Sequence, residues 1–354
     1  MDYNQNIQIH NKQFKFKRFK KYTIGKLYSF LPYHCVNISI IKNKRLMETF
    51  LEVEFFTMKV KTRLISHQQM ITSIIKIDEN HIATGSWDMN IKIWNVSKRF
   101  CLGTLRGHSN VVLCLVKIDK ELIASGSGDL FSINSSSGDF SIKIWNIGFE
   151  ACLNTLNGHN DQVISLFKLD VGIIVSGSYD TSIKIWDIEQ GICLKTFYWQ
   201  LEYYIKCLIK LDTNTIIGGS DNETIKIWNL PEGECKQKLI GHSQPIKCLT
   251  KLSNNKIISG SSDNTIKIWN LNKGTCTNTL IGHTSTVDCL IKLDLFRIIS
   301  ISNDKTIKVW HIFNGNCIKS NSHTESIVCC ELLNNKQLVT GCEESSDAYI
   351  RYLY

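Results

Sequence analysis

A histidine, a hydroxyl, a carboxylate and an indole recur together along this chain, and those four groups can do chemistry. His67, Thr84, Asp88 and Trp94 form a first set; His159, Ser176, Asp180 and Trp186 another; His242, Ser259, Asp263 and Trp269, then His283, Ser300, Asp304 and Trp310, follow. A carboxylate that orients an imidazole makes a general base, and a hydroxyl beside it is what such a base activates. Repetition argues against that use. An active site is usually built once, whereas a set present in most copies of a repeat reads as scaffolding. The chain also lacks a Walker loop, a Gly-x-Ser-x-Gly elbow and a His-Glu-x-x-His zinc motif, so the reading is non-enzymatic, with no cofactor and no metal.

The elements that position these groups follow from spacing. From His to Trp the interval is 27 residues in His67–Trp94, His159–Trp186, His242–Trp269 and His283–Trp310. Units of about 41 residues begin at His67, His108, His159, His242, His283 and His323. Inside each, apolar and polar residues alternate over short β-branched runs such as "TIKIW", separated by Gly, Ser, Asn and Asp, which predicts short antiparallel strands. Leu201 to Trp228 is a seventh interval in register, with leucine at the histidine position.

A period near 41 with Gly-His early, Ser-Gly-Ser-x-Asp in the middle and a terminal Trp resembles the WD-repeat β-propeller family over roughly residues 58 to 354. The resemblance implies an all-β, seven-bladed propeller of four-stranded antiparallel blades (residues 56–354) behind a basic N-terminal extension (residues 1–55). It also implies that each His-Ser-Asp-Trp set is a hydrogen-bonded chain inside its blade. The second letter of the name is Asp only at Asp187; Asn95, Asn146, Asn229, Asn270 and His311 stand elsewhere. Three strands follow His323, so the last blade lacks an outer strand, and "MKVKTRL", Met58 to Leu64, is placed to supply it and close the ring.

Three units are irregular. The second carries ten extra residues, so either Asp129 or Asp139 can join His108, Ser125 and Trp145. The fourth replaces the set together: Leu201, Gly218 and Asn222 stand for His, Ser and Asp, and only Trp228 remains. Losing one member of a buried network strands its partner at about 1–3 kcal/mol, whereas losing both ends is nearly neutral. The last unit has three extra residues before Asp347 and places Leu353 at the tryptophan position.

The resemblance further implies where a partner binds. Contact side chains of the narrower face lie three and five residues after the histidine and one before the aspartate. Those positions hold Met70, Thr72 and Trp87 in blade one, Val111 and Leu113 in blade two, and Gln162, Ile164 and Tyr179 in blade three. They hold Tyr204 and Lys206 in blade four, Pro245, Lys247 and Ser262 in blade five, Thr286, Asp288 and Asn303 in blade six, and Ser326 and Val328 in blade seven. Met70, Trp87, Leu113, Tyr179, Tyr204, Lys206 and Lys247 are the leading candidates. Trp199, in the aromatic stretch 197–204, joins them, although Phe197 and Trp199 could equally plug the gap left by the missing histidine.

Composition bounds the rest. The net charge of +9 is local, because residues 3 to 47 hold ten Lys or Arg and no Asp or Glu, leaving a body near −1. The run Lys12 to Lys21 interleaves Phe14, Phe16 and Phe19 with six cations, a pattern that can meet RNA or an anionic membrane but reads first as a solvated tail. The apolar stretch after it, beginning at Leu31-Pro32, weakly resembles an F-box. Fourteen cysteines recur with the repeat, no Cys-x-x-Cys pair exists, and equivalent positions on separate units do not normally meet, so free thiols in a reducing compartment are expected. No signal peptide or membrane span is evident, which places the chain in the cytoplasm or nucleus. The expected function is a scaffold that binds a protein or peptide on the narrow face, monomeric within a larger complex. The alternatives are a ubiquitin-ligase substrate receptor and a ribonucleoprotein component.

Overall fold

The alternation of isoleucine or valine with lysine along the third strand builds six of the seven sheets in the same way. In a computed structural model, residues 59–64, 67–129, 138–198, 203–334 and 336–353 are described. They form 28 strands, β1 (Lys59–Leu64) to β28 (Ala348–Tyr352), in seven four-stranded antiparallel sheets. Blade one is β2 (Ile71–Lys76), β3 (His81–Ser86), β4 (Ile91–Asn95) and β5 (Phe100–Leu105), paired in chain order. Along β4, Ile91 and Ile93 are buried while Lys92 turns outward to Thr104 Oγ1 at 3.2 Å. The same lysine reaches a hydroxyl of the outer strand at Lys143–Thr155, Lys184–Thr196, Lys267–Thr279 and Lys308–Ser320.

First strands line the ring, each packed against the first strand of the next blade, and the last meets the first. Between blades lie apolar layers, such as Ile142 and Ile144 of blade two against Val163, Leu166 and Ile174 of blade three. Burying one such side chain stabilises by about 1.5–3 kcal/mol, and the layers repeat around the ring. Packing there is close enough to need glycine. A Cβ on Gly126 would lie 2.7 Å from Val163 and 2.8 Å from the Cys114 sulfur. The sixth blade breaks this rule with Ile301, and the next blade compensates: where Leu115 and Leu208 reach the glycines of their neighbours, the seventh blade has Cys330. Volume is thus traded across one interface.

The ring closes with strands from both ends of the sequence. Sheet order in the last blade is β1, β28, β27 (Gln337–Cys342), β26 (Ile327–Asn334), with Lys59 opposite Tyr352 and Leu64 opposite Ala348. Leu64 packs with Ile350 and Val339 against Ile71 and Ile82 of blade one. Register here corrects the reading of the last unit. Leu338 pairs with Arg351 as Ile82 pairs with Trp94, so Arg351 takes the tryptophan place, and Leu353 corresponds to Val96. Asp347, next to Ala348, occupies the place of Asn90, not that of Asp88. The hairpin turn therefore holds one extra residue, not three: His323 to Arg351 is 28 residues against the usual 27.

Candidate partner-binding face

Inside five blades the four groups form one polar chain. His67 Nδ1 lies 2.7 Å from Asp88 Oδ2, its Nε2 lies 2.8 Å from Thr84 Oγ1, and Trp94 Nε1 donates to that hydroxyl at 2.8 Å. The set around His108 uses Asp139, at 2.7 Å, and Ser125, at 2.6 Å, with Trp145 donating at 2.8 Å. Asp129 instead offers its carbonyl to Gln162 Nε2 at 2.7 Å. His159–Asp180 and His283–Asp304 are 2.7 Å apart, and His242–Asp263 2.6 Å; each histidine also reaches its serine (Ser176, Ser300, Ser259), to which Trp186, Trp310 and Trp269 donate. The Gly-His glycine lets the loop cross the indole: a Cβ on Gly241 would sit 3.2 Å from the Trp269 ring.

The electrostatics suit a locked joint. Burial pushes the aspartates up, but the histidine bond and nearby backbone N–H groups outweigh it, holding Asp88 down at about 2 and Asp139, Asp180, Asp263 and Asp304 also below the usual range. With both histidine nitrogens engaged and the hydroxyl shared with an indole, no group is left poised toward a substrate.

Two blades replace the chain of bonds. In blade four Gly218 faces Leu208, Asn222 only caps its own turn through Thr224, and Trp228 packs 6.2 Å from Phe197. Phe197 is 6% exposed in the layer where other blades place Leu105 or Leu280. Leu201 and Trp199 lie outside the described residues. In blade seven Arg351 Nε donates to Thr340 Oγ1 at 2.8 Å and its Nη1 lies 2.9 Å from His323 Nδ1. Burial and the Arg351 charge push His323 down to about 4. Asp347, in the Asn90 place, pairs with Arg63 of the closing strand β1.

These joints aim one face. In six blades the backbone N–H of the residue before the turn position (aspartate in four of them, Asn222 and Glu344 in the other two) donates to the carbonyl three residues past the histidine position: Trp87 to Met70 at 3.0 Å, Tyr179 to Gln162 at 3.0 Å, Asp221 to Tyr204 at 3.2 Å, Ser262 to Pro245 at 2.9 Å, Asn303 to Thr286 at 2.9 Å and Glu343 to Ser326 at 2.8 Å. Two loops of each blade are therefore pinned side by side. Each pair is 17 residues apart, and that spacing would have added Asp221 and Glu343 to the candidates.

Of the candidates, Tyr204 and Lys247 are exposed, and Met70, Trp87, Leu113, Tyr179 and Lys206 are half-buried. Tyr179 and Tyr204, from neighbouring blades, stack at 5.0 Å and 25°, and Lys206 Nζ sits 4.1 Å over the Tyr179 ring and donates to its hydroxyl. Tyr198 and Tyr203 are also exposed. Across the face, burial pushes Asp288 up to about 6; Lys247 opposes this and Glu343 adds to it. The face thus runs from aromatic to cationic to acidic around the ring. Among the described residues, no cluster of His, Cys, Asp or Glu could hold a metal, and no helix is long and apolar enough to cross a membrane.

Comparison with known proteins agrees with this architecture. The family model described as "WD domain, G-beta repeat" matches residues 58–95, 99–146, 150–187, 233–270 and 274–311. The unmatched units are those whose His-Ser-Asp-Trp sets are replaced. Among solved structures, the crystal structure of the WD40 β-propeller domain of Doa1 is similar, with 22% identity, a TM-score of 0.73, and coverage of 84% of this chain and 97% of that one. No curated protein matches. With more than half of its length matched by the family model, this chain belongs to the WD-repeat family.

Proposed function

We propose that this propeller is a non-catalytic scaffold that binds a protein or peptide partner on the narrow face, with Tyr179, Tyr204 and Lys206 as its central anchor and Met70, Trp87, Leu113 and Lys247 around it. WD-repeat propellers are in general interaction scaffolds. The observation that carries the reading is the Tyr179–Tyr204 stack, an aromatic pair, half-buried at Tyr179 and exposed at Tyr204, spanning two blades and held by pinned loops. Rigid aromatics bury large area on binding at little entropic cost, which is why they dominate interface energetics. Lys206 occupies the cation position over Tyr179 itself, so the pair presents its outer surface rather than an empty cage.

A crosslinking pull-down from native lysate tests this, comparing the intact chain with a Trp87→Ala, Tyr179→Ala, Tyr204→Ala variant whose fold is checked by circular dichroism. Partners lost from the folded variant support the narrow face. Partners kept there but lost on deleting residues 1 to 47 would overturn the reading and move binding to the amino-terminal segment, where the ligase-receptor and RNA readings reside.

A further inference from the structure

Equivalent cysteines stay apart around the ring, but one pair from different positions of the repeat meets across a blade boundary. On the first strands of other blades the thiol six residues past the histidine points at the next blade's backbone: Cys114 to the Val163 carbonyl at 3.2 Å, Cys248 to that of Val287 at 3.5 Å, Cys329 to that of Ile71 at 3.5 Å. Cys289 points the same way from β22 (Val287–Lys292), but the next blade has Cys330 where leucine is usual, and the two sulfurs lie 2.7 Å apart. Ile301 in the glycine position and Cys330 in the leucine position are the two substitutions that bring the sulfurs together.

We propose that Cys289 and Cys330 form an interblade disulfide when the protein meets a peroxide. Cys289 is half-buried and Cys330 is 9% exposed, so Cys289 reacts first. Its sulfur attacks one peroxide oxygen, the O–O bond breaks, and a sulfenic acid and water result. The Cys330 sulfur then displaces the sulfenic oxygen, which leaves as a second water. Two thiols lose two electrons in total and hydrogen peroxide gains them. The bond ties the first strands of blades six and seven across 41 residues of sequence, beside the blade that β1 completes. Oxidation therefore fastens blade seven into the ring independently of the closing strand. Burial raises the Cys330 thiol, which makes the second step slow at neutral pH and faster in alkali.

The test uses the full chain, treated with hydrogen peroxide or with dithiothreitol, then unfolded and alkylated with iodoacetamide. After peroxide, alkylation at Cys289 and Cys330 is lost, and non-reducing peptide mapping finds the two peptides joined with the mass of two hydrogen atoms missing. The link persists in Cys329→Ser and disappears in Cys330→Ser. Sulfinic acid on Cys289 with Cys330 still alkylated would overturn the proposal, as would a link that uses Cys329 or continued alkylation of both thiols. Mapping of the unaltered chain decides the matter even if Cys330→Ser fails to fold.

Discussion

Asp263→Ala and Asn222→Ala remove equivalent turn residues from blades five and four, and the structure gives them very different costs. Asp263 accepts from His242 Nδ1 at 2.6 Å, Ser243 N at 3.2 Å, Thr265 N at 2.9 Å and Thr265 Oγ1 at 2.6 Å. Its carboxylate is 8% exposed and the His242 side chain 0%. Stranding the buried imidazole N–H costs about 1–3 kcal/mol, and each bond nearer the surface about 1 kcal/mol. The sum is about 4–6 kcal/mol. Asn222 accepts only from Thr224, through N at 3.3 Å and Oγ1 at 2.5 Å, and its loss should cost about 2 kcal/mol. Urea unfolding followed by tryptophan fluorescence measures both midpoints. Adding His242→Leu to Asp263→Ala should cost less than the two single changes summed, because the stranded donor leaves with its partner. Equal midpoints for the two alanine variants, or strict additivity of the pair, would refute the account of a network that is kept or discarded whole.

Other outcomes follow from the same geometry. Deleting residues 1 to 66 should lower the melting temperature sharply in calorimetry, because β1 completes the last blade; Arg63→Ala should shift it in the same direction by leaving Asp347 buried without its partner. Stability should fall as pH drops below 4, since the network aspartates have depressed pKa values: their contribution is present above the ordinary carboxylate range and is lost as pH falls through the folded values, Asp88 near 2 and Asp139, Asp180 and Asp263 lower still. Glu331 works in the opposite sense. Burial, opposed by Lys76, pushes it up from 4.5 to about 7, so its contribution is full below pH 4.5 and lost as pH rises through 7. Glu331→Gln should therefore outlast the unaltered protein above pH 7 by up to about 3 kcal/mol, with the difference vanishing near pH 4.5 in urea titrations at each pH.

Much of this molecule was legible in the sequence because its repeat encodes local physics. Alternating isoleucine and lysine sets strand faces, Gly-His sets a loop that must cross an indole, and a constant His-to-Trp interval sets hairpin lengths. The closing role of residues 59–64 was equally readable, as an outer strand missing at one end and present at the other. What remained hidden depends on neighbours that no single repeat contains. Ten inserted residues left two aspartates eligible in blade two, and only the path of the hairpin brings Asp139 to His108. One extra residue in the last turn hid Arg351 as the tryptophan substitute and put Leu353 in its place, a matter of register that pairing with β27 alone decides. The Tyr179–Tyr204 stack, the Ile301–Cys330 exchange and the approach of Cys289 to Cys330 all cross a blade boundary. Sequence determines six blades through contacts between consecutive strands; the ring, through its closing strand and the packing between blades, decides which rings and thiols come together.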